Sequence, residues 1–427
     1  MLRQLFELNQ RYIRQAAYTM KSMLKNILQF ACLGSILLLF TGFTRSWYQR
    51  ASHGGDARHR VVGFAIGNKG YIGGGHVNSA TAITYQDFWE YDPATNTWTQ
   101  IADYGGGLRY HSSAFVIDGV AYVGAGENAT HEYTNDFWKY IPEVNTWLPI
   151  ADMPGTPRRG SFGFAINGKG YFGTGQSDEG YHTDCYMYDP ETDNWTSIAD
   201  FPGEARTASA HFVYEGKAYV GTGHIFGSAV RDFYAYDPIS DSWETLASMS
   251  DTVRENASGF CIDNKGYIGF GDDNHGNTFD DLWEYDFATD TWTRIADFPG
   301  QKRRYGVTFK IDNNIYLASG TDGTNLKDLW VYAPTLSIGE GPDNDIQFVA
   351  YPNPSTDWIK ISCKTKNSNL LDDALIQLTD IDGKIRYRHT LESGDITLTK
   401  AELGSGLFLI QIYHQSQVIH QTKIIFQ

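Results

Sequence analysis

Six arginines and six aspartates recur along this chain at nearly regular distances, and they are the first chemistry the sequence offers. The arginines are Arg58, Arg109, Arg158, Arg206, Arg254 and Arg303; the aspartates are Asp87, Asp136, Asp184, Asp232, Asp281 and Asp328. A guanidinium presents a planar fork of donors that matches both oxygens of a carboxylate. Six such pairs would fix loops in place; left unpaired, the arginines would make a ring of positive charge for an acidic ligand. The neighbours of these residues do not repeat. After the arginines come His59 and Arg60, Tyr110 and His111, Arg159 and Gly160, Thr207 and Ala208, Glu255 and Asn256, and Arg304 and Tyr305. A second varied set, His76, Glu127, Gln176, His224, Asp272 and Thr321, follows a glycine-flanked segment in each copy.

What repeats is explained by the fold, so function is sought among the departures. The candidate ligand-binding residues are Arg60, His76, His111, Glu127, Arg159, His224, Glu255, Asn256, Arg304 and Tyr305. Aromatic faces beside donors and acceptors suit a sugar, and they also suit a peptide. No spacing nominates a catalytic residue, a metal site or a cofactor. The most acidic stretch, "GDDNHGNTFDD" from Gly271 to Asp281, offers oxygens to calcium, but Gly276 falls one place early for an EF-hand loop. It reads as a solvated loop.

The elements that carry these residues follow from the spacing. Arginine to tyrosine (Tyr71, Tyr122, Tyr171, Tyr219, Tyr267, Tyr316) is 13 residues in six copies, and aspartate to tryptophan (Trp98, Trp147, Trp195, Trp243, Trp292) is 11 in five. Tryptophan to the next arginine is again 11, so all length variation lies between tyrosine and aspartate. Alternating side chains in stretches such as "DFWEYD" have the period of two of a strand, and "ATN" or "ETD" before each tryptophan is turn-rich. Each copy is therefore four strands: A from the arginine, B with the tyrosine and glycines, C from the aspartate and D from the tryptophan. Four antiparallel strands in about 48 residues make a propeller blade. The sixth copy lacks its tryptophan, yet Trp47 stands 11 residues before Arg58. Residues 46–52 are thus expected to supply the missing outer strand and close the array, which removes exposed edges.

The expected fold is all-β: a six-bladed propeller over residues 45–335, a linker over 336–346 and a small Ig-like β-sandwich over 347–427. Residues 45–335 resemble the kelch-repeat family of six-bladed propellers, through the glycine doublet after an aromatic strand and the Tyr and Trp at fixed spacing. Only the first copy reads "GGG"; the others read "GAG", "GTG", "GTG", "GFG" and "ASG". The tail resembles the C-terminal sorting domain of the type IX secretion system of Bacteroidota. The matching stretches are "YPNP" at Tyr351–Pro354, "DIDGK" at Asp380–Lys384, "LGSGLFLIQI" and the closing "KIIF". In the tail, two prolines are read as an extended lead-in to a strand and Asp382-Gly383 as a hairpin turn. The resemblance implies contact with the secretion machinery, then release or anchoring at the cell surface.

Residues 1–44 read as an export signal. Lys21 and Lys25 precede a 14-residue apolar run, Ile27–Phe40, which suits a signal core and is short for a membrane span. Met20 reads as the true start, with residues 1–19 upstream of it. The expected location is secreted or outer cell surface, by way of the periplasm, with no transmembrane segment in the mature chain. A net charge of −16 with no basic run argues against nucleic acid as a partner. Cys185, Cys261 and Cys363 are too far apart for a disulfide framework.

Three functions fit. The first is a surface binding protein, its glycan or protein ligand at the face formed by the B–C loops and the strand-A starts. The second is a sugar-acting enzyme resembling the N-acetylneuraminate epimerases, which are exported six-bladed kelch proteins, with His111 and Glu255 as acid and base. The third is a structural adhesin. Galactose oxidase, a copper enzyme, resembles the fold class but has seven blades, and Cys185 and Cys261 stand at positions that hold Phe, Leu, Ala or Val in other copies.

Overall fold

The computed structural model describes residues 44–77, 82–249, 252–335, 346–365, 375–380, 384–390, 395–414 and 417–426. The expected leader up to residue 43, the linker up to residue 345 and the Asp382-Gly383 turn lie outside the described residues. The chain forms two compact units, Ser46–Ala333 and the segment from Pro334 onward.

The first unit consists of four-stranded antiparallel sheets, one per repeat. In the first sheet, strand A is Val62–Ile66, B is Lys69–Gly73, C is Phe88–Asp92 and D is Thr97–Ile101. The sixth sheet takes Val307–Ile311, Asn314–Thr321 and Asn325–Thr335 from its own repeat, and Thr44–Arg50 pairs alongside as the outer strand. Trp47 lies within that strand, against Phe298 and Tyr332. Neighbouring A strands touch in order, and the sixth touches both the fifth and the first.

Strand A does not open at the arginine, as the spacing led one to expect. It starts four residues later in every copy, at 62, 113, 162, 210, 258 and 307. The reason is local. The residue two past each arginine has a left-handed backbone, with φ between +55° and +64°, and that conformation cannot sit within a strand.

Each arginine lies buried at the node of its sheet. Arg254 holds both oxygens of Asp281 at 2.8 Å and donates to the carbonyl of Phe270 at 2.9 Å. The other five pair in the same two-oxygen way, for example Arg303 with Asp328 at 2.8 and 2.8 Å. A third partner recurs: the aromatic residue two past each aspartate donates to it, Trp89, Trp138, Trp283 and Trp330 through the indole, Tyr186 and Tyr234 through the hydroxyl. Burial pushes the carboxyl of Asp281 up, but the hydrogen bonds and charge of Arg254 outweigh it and hold the group below the ordinary range.

The arginine backbone also serves the neighbouring sheet. The last glycine after strand B donates its N–H to the next arginine's carbonyl, as Gly75 does to Arg109 (2.8 Å) and Gly320 does to Arg58 (3.3 Å). This glycine has φ of +83° to +110° in all six copies, and a Cβ would lie 2.3–3.0 Å from the carbonyl oxygen of the residue after its own sheet's arginine. No other residue fits. The residue before it has φ near +60°, which other residues tolerate, so Ala125, Thr174, Thr222, Phe270 and Ser319 stand there.

On the outer edge Trp98, Trp147, Trp195, Trp243 and Trp292 each clamp the preceding sheet. Trp195 donates to the carbonyl of Ala151 (2.8 Å), and Asp193 accepts from the N–H of Ala151 and the hydroxyl of Tyr188. The clamp of Trp98 falls on Ala51, next to the N-terminal outer strand.

The second unit is a β-sandwich. One sheet holds Ile346–Tyr351, Trp358–Thr365 and Asp395–Thr399; the other runs Ile385–Thr390, Leu375–Asp380, Gly406–His414, Gln417–Phe426. Ile359, Ile361 and Leu398 from the first meet Ile376, Leu378, Ile410 and Ile424 from the second in one core. Pro352 and Pro354 sit in the connection between the first two strands rather than in an extended lead-in.

Removing one member of a buried pair leaves an uncompensated charge. Asp281→Ala strands Arg254, whose side chain is 0% exposed, and is expected to cost about 3–5 kcal/mol in denaturant unfolding. Asp184→Ala is expected to cost less, since Asp184 is 33% exposed and water reaches the vacated place. Equal losses would contradict the argument.

Candidate ligand-binding mouth

The two varied sets of residues meet in space. The residue after each arginine bridges, in antiparallel fashion, the first residue of its B–C loop: His59 with His76, Tyr110 with Glu127, Arg159 with Gln176, Thr207 with His224, Glu255 with Asp272, Arg304 with Thr321. The left-handed residues are linked by backbone hydrogen bonds from sheet to sheet. His111 donates to Arg60, Gly160 to His111, Ala208 to Gly160, Asn256 to Ala208 and Tyr305 to Asn256, at 2.8–3.2 Å. The fold fixes this backbone and leaves its side chains open. Five of the six are not glycine, and left-handed non-glycine residues tend to gather at functional sites.

Below this face the A strands of all six sheets line a cavity of about 180 Å³, with Ser112, Ser161 and Ser209 near its opening. The large members Tyr305, Arg60 and His111 fall on the sixth, first and second sheets, whereas Gly160 and Ala208 occupy the third and fourth. The opening is therefore lopsided.

All ten candidate residues fall into three clusters. In the first, Arg60 donates to the Tyr305 hydroxyl (2.9 Å) and lies over its ring (4.5 Å), with a second guanidinium nitrogen 3.0 Å from His76 Nε2. His111 packs edge-on against Tyr305 at 5.2 Å. In the second, Arg159 pairs with Glu127, which also contacts His131 Nδ1 at 2.9 Å. In the third, His224 pairs with Glu255; Asn256 donates to both Glu255 (3.0 Å) and Asp272 (2.9 Å); Arg304 closes on Asp272 at 2.7 Å. Stacking of His76 on Tyr110 at 4.0 Å joins the first cluster to the second.

The electrostatics differ between clusters. Among the described residues Arg159 and Arg304 each have a carboxylate, and Arg60 has none. Burial and then Arg60 lower His59 to about 4 and His76 to about 3, and burial, Arg60 and Arg159 hold His111 well below the ordinary range. These three rings are neutral at pH 7. Burial, then the adjacent Asp272, raises the carboxyl of Glu255. His111 and Glu255, read from the sequence as an acid–base pair, lie in different clusters; the histidine that meets Glu255 is His224.

The arginines of the repeat do not belong to the mouth's chemistry. Arg158, Arg206, Arg254 and Arg303 are 0% exposed and spent on their aspartates. The acidic loop uses Asp273 to accept from the backbone of His275 and Asn277. Residues outside the candidate set also take part: His59, Tyr110, Gln176 and Asp272, and beyond these His131 and Asn325, the last 2.7 Å from His59 Nδ1. His59 and Asp272 were visible as breaks in the repeat. His131 stands in a loop and Asn325 at the start of a strand, both at positions that the spacing does not align.

Two titrations check this account. His59 and His76 sit below their ordinary value of 6.5, so their contribution to stability is complete above that pH and declines as pH falls through it toward 4 and 3. Urea unfolding from pH 7 to 4 should show that decline, and His59→Gln with His76→Gln should flatten it. Carbon NMR should find Glu255 titrating above 4.5 and moving down in Asp272→Asn, which removes a negative neighbour. An unmoved Glu255 would refute the coupling.

Comparison with known proteins places the two units. The family model of the KLHDC2/KLHL20/DRC7 Kelch-repeats domain matches residues 59–259, and that of the secretion system C-terminal sorting domain matches residues 349–427. The solved structure of YjhT is similar at 17% identity and a TM-score of 0.53, over 68% of this chain and 97% of that one, which speaks to fold alone. No curated protein sequence matches the chain. Among the described residues no helix is long and apolar enough to cross a membrane. Residues 59–259 thus match a kelch-repeat domain within an all-β fold of four-stranded sheets, and the type IX sorting tail directs the chain to the cell surface or the extracellular space.

Proposed function

We propose that the exported propeller is a binding protein and that it takes a glycan at the mouth. One observation carries the reading: Arg60, without a carboxylate partner among the described residues, lies beside Tyr305, His111 and His76 on a backbone that the fold holds fixed. Rings offer stacking faces to a sugar, and Arg60 and the neutral histidines offer donors and acceptors to its hydroxyls or to an acidic substituent. Arg159 and Arg304 are held by their own carboxylates, so they shape the site more than they charge it. The ligand is a glycan rather than a bulky folded partner because the side chains converge on a small, lopsided opening.

A second reading is favoured by Glu255. A buried carboxyl raised above its ordinary value and in contact with His224 is suited to proton transfer on a bound sugar. In that case the acid–base pair is Glu255 with His224, in place of Glu255 with His111.

The test applies the purified chain to a glycan array that includes sialylated and uronic-acid sugars. Specific binding is expected, with Arg60→Ala weakening it about tenfold or more, and with the combined Arg60, His111 and Tyr305 alanine variant abolishing it. A bound sugar that turns over, with turnover lost in Glu255→Gln while binding persists, moves the weight to the enzyme. A blank array from folded protein overturns the glycan reading and leaves a protein partner or an adhesin.

A further inference from the structure

The first residue of each B–C loop has a second partner, the residue three before the aspartate, and this third position also departs from the repeat. It holds Thr84, Tyr133, Tyr181, Ala229, Thr278 and Asn325, each paired antiparallel with the loop's first residue. The two aromatic members are neighbours, on the second and third sheets. Arg159 lies over the Tyr133 ring at 5.5 Å and donates at 3.1 Å to Gln176, the residue paired with Tyr181. The Tyr181 ring meets His224 edge-on at 5.6 Å. Burial and then the charge of Glu255 raise the Tyr181 hydroxyl while Arg159 lowers it, so this ring lies between the second and third clusters. Both tyrosines are partly exposed, and neither hydroxyl has a hydrogen-bond partner among the described residues.

The fourth sheet adds another ring. Its B–C loop is a two-residue hairpin, with Ile225 paired to Ser228 and Phe226-Gly227 at the tip. The same place on the third sheet, between Ser177 and Gly180, holds Asp178-Glu179. Such turns favour polar residues and glycine. Gly227, with φ of +84°, meets that demand, but nothing in the turn calls for phenylalanine. Phe226 is 93% exposed, more than any other large apolar side chain among the described residues. Its ring covers no core, and holding it in water forgoes the stabilisation that burial would bring.

These rings stand where the mouth is low. Tyr305, Arg60 and His111 raise the sixth, first and second sheets, whereas Gly160 and Ala208 leave the third and fourth almost bare. A chain held at Arg60 therefore leaves most readily over Gly160 and Ala208, toward the loops that carry Tyr181 and Phe226. The charge changes along that path. Arg60 has no carboxylate partner, whereas Asp178 and Glu179 are exposed acids with no ion pair, in each case among the described residues.

We infer that the mouth is one end of a longer site, and that its ligand is an oligosaccharide with an acidic unit at its end and neutral units behind it. The inference rests on the glycan reading of the mouth. The acidic unit meets Arg60. The following units cross Gly160 and Ala208 and lay their apolar faces on Tyr181 and Phe226, while the two tyrosine hydroxyls serve the sugar hydroxyls. Asp178 and Glu179 repel a second acidic unit.

The test is calorimetric titration of the purified full chain. The single sugars are glucuronate, galacturonate and N-acetylneuraminate. Glucuronosyl-xylobiose and sialyllactose carry an acid followed by neutral units, and trigalacturonate is acidic throughout. An acid that binds is expected to gain roughly tenfold when the neutral units are attached, and trigalacturonate is expected to gain nothing over galacturonate. Phe226→Ala and Tyr181→Ala should each take back most of the gain, and Arg60→Ala should weaken short and long sugars alike. Phe226 is exposed, so its variant is expected to fold, which an unfolding curve checks. If no sugar of the panel binds, the glycan reading of the mouth falls and this inference with it. If a single acid binds as tightly as its longer form, or the gain survives both substitutions, the extended site is overturned and the mouth reading stands.

Discussion

A buried guanidinium locked to both oxygens of a carboxylate is the constraint on which the propeller depends. In each repeat the arginine side chain takes both oxygens of an aspartate and a carbonyl after strand B, so strands B and C of one sheet are tied at a single point. Its own carbonyl accepts from a glycine of the sheet before, so the same residue fixes the junction between sheets. Such a group tolerates burial only when its charge is matched and its donors are satisfied. The aromatic donor on the far side of each aspartate completes the arrangement. The regular recurrence of arginine, aspartate, tyrosine and tryptophan is the linear image of this one node.

The same economy defines where ligand chemistry can reside. Six arginines look from the sequence like a cationic surface, but internal pairing leaves them electrically silent. What remains is the positions the node holds but does not use: the residue after the arginine, the left-handed residue beyond it and the first residue of the B–C loop. Their backbone bonds recur with little change from sheet to sheet, so their side chains vary without cost to the frame. That is why Arg60, His111 and Tyr305 stand where Gly160 and Ala208 also stand.

The frame was legible because its interactions join residues at offsets that vary by only a few positions. Arginine and aspartate, glycine and the next arginine, and tryptophan and the preceding alanine all recur at nearly constant spacings, and the outer strand around Trp47 follows from the same count. Two things were hidden. The late start of strand A comes from a left-handed residue, and nothing in Arg60, His111 or Tyr305 announces that conformation. The sorting of the candidates into clusters was hidden as well. Glu255 meets His224 and Arg304 meets Asp272 across sheet junctions, and His59 meets Asn325 because the sixth sheet lies against the first. Pairings of this kind depend on rotamers and distances, which spacing does not encode. The varied middle of the glycine triplets became intelligible only with the dihedral angles, near +60° in the middle and near +100° at the last glycine.

The outer strand Thr44–Arg50 has a mechanical meaning for an exported protein that carries a tail. The chain leaves the propeller at Thr335, through a strand with hydrogen-bonded neighbours on both sides, one from its own repeat and one from the N-terminus. Tension on the tail thus loads two ladders of bonds at once. A chain that ended its propeller on an edge strand would present a free margin from which unravelling could start. Here the last strand out is an inner one, and the load passes into the body of the sheet.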